Sequence, residues 1–210
     1  MKKALVIGST GLVGNELIQL LLADGGYAVT ALVRKPIPIN HNQLQQVVFD
    51  FEKPDKSVVF ADEIYCCLGT TIKVAGSKPA FYKVDFEYVL SIAQIAHANG
   101  ASKFALVSSM GANKDSTIFY NKTKGAIEVA ITEVGYRSLY ILRPSVLLGD
   151  RKEFRLGEKI GKVLMSAISF ALPKKYRPIE ARQVAKAMIA CMSSDKSGVH
   201  ILESDAIADL

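Results

Sequence analysis

Apolar residues come in short runs broken by glycine and polar turns, and the runs alternate between two periods. Residues 4–7 are continuously apolar, as in a strand buried on both faces. After a glycine-rich turn, Leu17, Leu20 and Leu21 recur at helical spacing over residues 16–23, and Asp24-Gly25-Gly26 stops that helix. Residues 27–33, rich in β formers, predict a second strand. Residues 47–49 predict a third, 63–68 a fourth, 104–107 a fifth and 138–142 a sixth. Helices are predicted at 84–98, closed by Asn99-Gly100, and at 120–133, closed by Gly135. Strands that alternate with helices imply βαβ units and right-handed crossovers. The predicted fold class is α/β, a doubly wound parallel sheet (Rossmann fold) with a small C-terminal cap. Beyond residue 150 the pattern changes, with helices predicted at 158–171 and 179–192 and a last strand at 199–202. Residues 151–210 are too few for an independent domain. They are expected to form a small cap on the substrate side of a single domain spanning 1–210.

Composition narrows the class. With 210 residues, half of them apolar and 22% charged, the chain buries enough surface to fold without staples. The most apolar stretch, residues 163–173, is too short to cross a bilayer, and the N-terminal apolar run breaks too early for a signal peptide. These features lead us to expect a cytoplasmic protein with no membrane partner. Cys66 and Cys67 are adjacent and Cys191 is distant, which suits three buried thiols and neither a disulfide framework nor a metal site. Net charge is +6. The basic residues are scattered rather than striped, so no nucleic-acid partner is expected; an anionic cofactor or substrate explains the excess.

Candidate chemistry begins at Gly8, Ser9, Thr10, Gly11, Leu12, Val13 and Gly14, between a predicted strand and a predicted helix. Glycines there allow a tight turn and bring backbone N–H groups against a pyrophosphate, at the positive end of the helix. The second predicted strand ends at Arg34 and Lys35, about 20 residues beyond Gly14, where an NAD site usually places a carboxylate. Neither side chain accepts a hydrogen bond, and both suit the 2′-phosphate of NADP(H). A solvated basic pair is the alternative. Asp50, after the third strand, suits either an adenine contact or a turn cap.

Tyr120 and Lys124 form Tyr-x-x-x-Lys on a predicted helix, where i and i+4 share a face. A nearby ammonium favours tyrosinate, making Tyr120 a candidate general acid/base for a carbonyl or alcohol. Lys124 also suits the nicotinamide ribose. Ser108 and Ser109 end the fifth strand, where open α/β sheets place ligands, and either can orient a substrate oxygen. Arg143, Asp150 and Arg151 suit a structural ion pair or a site. Lys174, Lys175, Tyr176 and Arg177 suit a solvated loop or contact with an acidic substrate or partner.

Several segments carry a resemblance: Cys66-Cys-Leu-Gly-Thr-Thr71 with Ala75-Gly76; Lys83-Val-Asp85 with Tyr88-Val89; Ser108-Ser-Met-Gly-Ala112; Tyr120 with Lys124-Gly125; and residues 143–151. In these the chain resembles an atypical short-chain dehydrogenase/reductase of the small, oxidoreductase-like Tat-interacting-protein family. The resemblance implies an NADP-binding Rossmann fold with Ser109 (or Ser108), Tyr120 and Lys124 as a triad. It also implies that Leu68, Gly69 and Thr70 lie along the nicotinamide half, and that Pro144, Ser145, Val146 and Leu147 close over it. It further suggests pairing with a second copy through the helices beginning near Val84 and Tyr120, although a monomer is also compatible. Larger extended members carry an Asn where this chain has Lys83, and a longer C-terminal region.

The leading expectation is an NADP(H)-dependent oxidoreductase acting on a small carbonyl or alcohol substrate. The alternative is a non-catalytic NADP-binding regulator whose cofactor state controls a protein partner. A nucleotide-sugar epimerase is disfavoured by the short C-terminal region.

Overall fold

The computed structural model of the chain describes residues 1–149, 173–194 and 196–210. Strand β1 (Lys2–Ile7) shows how the core is divided. Residues 4–7 are all buried; Ala4 and Val6 face one hydrophobic cluster, and Leu5 and Ile7 face the other. This is the period of 2 expected of a strand covered on both sides. The first face carries α1 (Leu12–Asp24), with Leu17, Ile18, Leu21 and Leu22 buried. Each such leucine contributes about 1.5–3 kcal/mol relative to exposure. Gly25 ends α1 in the left-handed region, at φ 74°.

The chain continues through β2 (Tyr27–Val33), β3 (Leu44–Val48) and β4 (Glu63–Cys66). Two short helices, α2 (Ile72–Ala75) and α3 (Lys78–Tyr82), lead into a π-helical turn over Lys83–Tyr88 and then α4 (Val89–Ala98). Next come β5 (Lys103–Val107), α5 (Phe119–Val134) and β6 (Ser138–Arg143). The short strands β7 (Leu147–Leu148) and β8 (Ile179–Glu180) pair with each other. Helix α6 (Ala181–Ser193), strand β9 (Gly198–Glu203) and α7 (Ser204–Ala208) complete the described chain. The sheet order is β3-β2-β1-β4-β5-β6-β9, parallel throughout. This is a Rossmann-like sheet, with α1 and α6 on one face and α4 and α5 on the other.

Three expectations change. The predicted helix over 84–98 starts earlier, through α3, and is interrupted by the π-helical turn. The cap expected over 151–210 is corrected for its described part. Helix α6 packs on α1 in the main core through Val184, Ala185 and Met188, and β9 is the seventh strand of the sheet. The helix predicted at 158–171 lies outside the described residues.

Candidate functional site

The strand order reverses between β1 and β4: β2 flanks β1 on one side and β4 on the other. Open α/β sheets bind ligands at this point, beyond the carboxyl ends of the strands. Here the turn after β1 presses on the turn after β4. Gly8 has φ 82°, and a Cβ there would come within 2.5 Å of the Cys67 and Leu68 backbone. A Cβ on Gly14 would come within 2.3 Å of Gly8 O. The turn is closed by Gly11 N–H donating to Gly8 O at 3.0 Å. Gly11 starts α1 with no side-chain cap and no acidic residue in the first turn. The first N–H groups of α1, at Leu12, Val13 and Gly14, therefore have no intrahelical partner. Ser9 is buried, and its hydroxyl has no hydrogen-bond partner among the described residues. An anionic group accepting from these donors fits this cradle.

Arg34 and Lys35 are exposed immediately past β2, on the same edge of the sheet. Asp50 is exposed and Oδ1 accepts the Glu52 N–H at 2.9 Å, so it caps a turn. It follows buried Phe49, whose ring meets Phe51 edge-on at 5.0 Å.

The opposite wall is built from charge. Lys124, from the second turn of α5, is buried, with Nζ 2.7 Å from Asp85 Oδ1. Asp85 is fully buried in the π-helical turn, and its Oδ2 accepts the Thr70 N–H at 2.8 Å. Gly69 lies against both: a Cβ there would stand 3.1 Å from Asp85 Oδ1 and 3.4 Å from Lys124 Nζ. Burial pulls the Lys124 ammonium down, but the neighbouring Asp85 carboxylate, with the Tyr120 side chain beside it, outweighs this, and the net direction is up. Lys124 is thus an ammonium at neutral pH. Tyr120 is half-buried in the first turn of α5, with its ring 5.3 Å from that of Phe81.

The two serines at the end of β5 differ. Ser108 is buried and donates to Glu128 Oε1 at 2.5 Å. Glu128 is also paired with Arg143, whose Nη2 is 2.6 Å from Oε2, and Arg143 reaches Glu203 at 3.0 Å. Arg143 is thus a structural ion pair; Asp150 and Arg151 lie outside the described residues. Ser109 is half-buried, and among the described residues its hydroxyl makes only a long 3.4 Å contact with Met110 O. Beyond β6, Pro144 O accepts the Met110 N–H at 3.0 Å. Ser145 bonds Arg177 O, and Val146 O accepts the Ile179 N–H, so residues 144–147 are tied to the strand before α6. Of the thiols, Cys66 and Cys191 are buried and Cys67 is half-buried.

A family model described as NAD(P)H-binding matches residues 8–195, from the glycine turn to beyond α6. The chain belongs to this NAD(P)H-binding family. Protein HTATIP2 of Rattus norvegicus is 34% identical over 217 residues, covering 100% of this chain and 89% of that protein. "Protein FMP52, mitochondrial" of Candida albicans is 34% identical over 194 residues, covering 88% of this chain and 85% of that protein. These relatives agree with the resemblance to the Tat-interacting-protein family. The fold is also that of UDP-N-acetylglucosamine 4-epimerase from Methanobrevibacter ruminantium, with a TM-score of 0.75 at 17% identity, over 96% of this chain and 76% of that one. MoeE5, solved with UDP-glucose and NAD, gives a TM-score of 0.73 at 16% identity, over 95% of this chain and 75% of that one. The chain is an atypical, short-chain-dehydrogenase-like Rossmann protein. No helix among the described residues is long and apolar enough to cross a membrane.

Within this NAD(P)H-binding member, two residues at the site were missed from sequence. Asp85 falls on the buried stripe Phe81, Asp85, Val89, Ile92, Ala96, and Glu128 joins Lys124, Ile127 and Ile131. A carboxylate on an apolar helical face is the signal that could have found each, because a buried charge needs a partner.

Proposed function

We propose that this chain is an NADP(H)-dependent oxidoreductase of the short-chain dehydrogenase type, acting on a small carbonyl or alcohol substrate. The observation that carries the reading is the buried Lys124 ammonium, facing Tyr120, on the crevice that also holds the glycine cradle. A nicotinamide held here would supply the hydride for carbonyl reduction, or accept the one released in alcohol oxidation. Leu12, Val13 and Gly14 would donate backbone N–H groups to the pyrophosphate, with the Ser9 hydroxyl beside them. Arg34 and Lys35 would hold the 2′-phosphate. Leu68, Gly69 and Thr70 would line the nicotinamide half, and Pro144, Ser145, Val146 and Leu147 would close it. Ser109 is the better substrate donor, because the Ser108 hydroxyl is bound to Glu128. In reduction, Ser109 positions the substrate oxygen and Tyr120 Oη gives its proton to that oxygen. Lys124 would hold the ribose hydroxyls, beside the tyrosine.

A panel of small aldehydes and ketones, read by NADPH consumption, tests this. Wild type turns over at least one member, and Tyr120→Phe loses about 100-fold or more in kcat with nucleotide affinity unchanged. Tight nucleotide binding with no turnover across the panel would favour the regulator reading. A cytoplasmic location belongs to the same proposal; fractionation against mitochondria checks it.

A further inference from the structure

Beyond Arg34 and Lys35 the chain runs Pro36-Ile37-Pro38-Ile39, a segment ill-suited to strand pairing. Proline has no N–H, so Ile37 holds the one backbone donor of residues 36–38. A proline also keeps the residue before it extended, which restricts Lys35 and Ile37. The Ile37 donor goes to a side chain. Gln46, half-buried on β3 opposite Ala31, accepts that N–H at Oε1, 2.7 Å away. Its Nε2 donates to Ile37 O at 3.0 Å and to Ile39 O at 2.9 Å. Both amide hydrogens of Gln46 are thus engaged by one turn. Within that turn the Ile39 N–H bends back to Ile37 O at 2.8 Å, and both isoleucines pack, partly buried, on the α1 side of the core. On the other side of the basic pair, Val33 O accepts the Phe49 N–H at 2.9 Å. Arg34, Lys35 and Pro36 therefore hang between two fixed points, one held by Phe49 just after β3 and one by Gln46 within it.

We propose that Gln46 is a positioning residue for the 2′-phosphate: by pinning the turn at residues 37–39 it holds Arg34 and Lys35 in place before a nucleotide arrives, and so sets the preference for NADP(H) over NAD(H). The inference rests on the role given to Arg34 and Lys35 above. Gln46 itself touches no ligand in this account. Without it, one end of the three-residue span is loose, and binding must order two long basic side chains together with their backbone. That ordering costs affinity. A ribose with a free 2′-hydroxyl makes no use of the basic pair, so NADH escapes the cost.

Gln46→Met tests this, because methionine keeps the length of the side chain and removes all three hydrogen bonds. The full chain is titrated with NADPH and with NADH by nicotinamide fluorescence. NADPH affinity falls about tenfold, the cost of ordering two rotamer-rich side chains, while NADH affinity stays within about twofold. In an Arg34→Ala, Lys35→Ala background the same substitution changes NADPH affinity by less than about twofold, because a residue that acts through others has no effect once they are gone. A purely structural role would lower the melting temperature and weaken both nucleotides alike. Gln46→Asn serves if the methionine variant does not fold: it draws the amide back by one methylene and gives the same selective loss.

The nucleotide-free protein supplies a second readout. Nitrogen relaxation at the Arg34 and Lys35 amides shows lower order parameters in Gln46→Met than in wild type. Unchanged order parameters, an equal loss of both nucleotides, or a full NADPH loss that persists without the basic pair would each overturn the inference. A wild type that prefers NADPH, loses the preference in Arg34→Ala and keeps it in Gln46→Met overturns this inference alone. A wild type with no NADPH preference overturns the 2′-phosphate reading, and this inference with it.

Discussion

On the β1 side of the crevice the wall is backbone. Gly8 and Gly14 let main chain approach main chain, and α1 begins with bare N–H groups. On the β4–β6 side the wall is side chain, and most of it is charged: Lys124 on Asp85, and Glu128 on Arg143 and Ser108. The first wall suits a ligand group recognised by shape and negative charge. The second suits a centre where protons move. Substitutions should therefore injure the two walls differently.

The largest effect is expected on the charged wall. Asp85→Ala leaves the Lys124 ammonium buried without its counter-charge, and breaking such a pair costs about 3–5 kcal/mol. Urea unfolding checks this; a loss below 1 kcal/mol would mean the pair is not buried as described. On the backbone wall, Gly14→Ala adds a Cβ 2.3 Å from Gly8 O, against backbone that cannot yield cheaply. Overpacking of this kind costs about 1–3 kcal/mol, and here nucleotide affinity should fall with it. An affinity unchanged in a destabilised Gly14→Ala would separate the turn from the ligand.

The seam between the walls is Cys66, the last residue of β4, held near 11 by burial against an ordinary 9.0. Its folded value is raised, so its contribution to stability is full below pH 9. That contribution falls as pH rises from 9 through 11, because the unfolded chain ionises its thiol first. The loss amounts to roughly 2–3 kcal/mol. Unfolding free energies at pH 8 and above pH 10 should differ by less in Cys66→Ala than in wild type.

The same contrast governs what the sequence discloses. The glycine turn was legible because its requirements are local: a strand, three glycines in seven positions and a helix. The strands were legible through their apolar runs, because burial on both faces leaves an unmistakable pattern. The charged wall was only half legible. Tyr120 and Lys124 declare themselves by i, i+4 spacing. Asp85 arrives from another part of the chain; its place on an apolar helical stripe marks it as buried, but nothing in that stripe names Lys124 as its partner. Lys83, the residue singled out in that stretch from sequence, is instead in an exposed ion pair with Glu52 at 2.6 Å. The residue that meets Lys124 is two places further on. The choice between Ser108 and Ser109 likewise depended on Glu128, a partner on a different element. The end of the chain was misread for a related reason. An amphipathic helix at 181–193 shows that it packs, but not that its neighbour is α1.

The most direct measurement is a titration of the protein with NADPH and with NADH, followed by nicotinamide fluorescence, in wild type and in Arg34→Ala. The account predicts NADPH preferred by about 10- to 150-fold in wild type, the value of one good charge-assisted hydrogen bond, with the preference lost in the variant. Binding of neither nucleotide would contradict it, and the glycine turn would then be a structural feature of the sheet and nothing more.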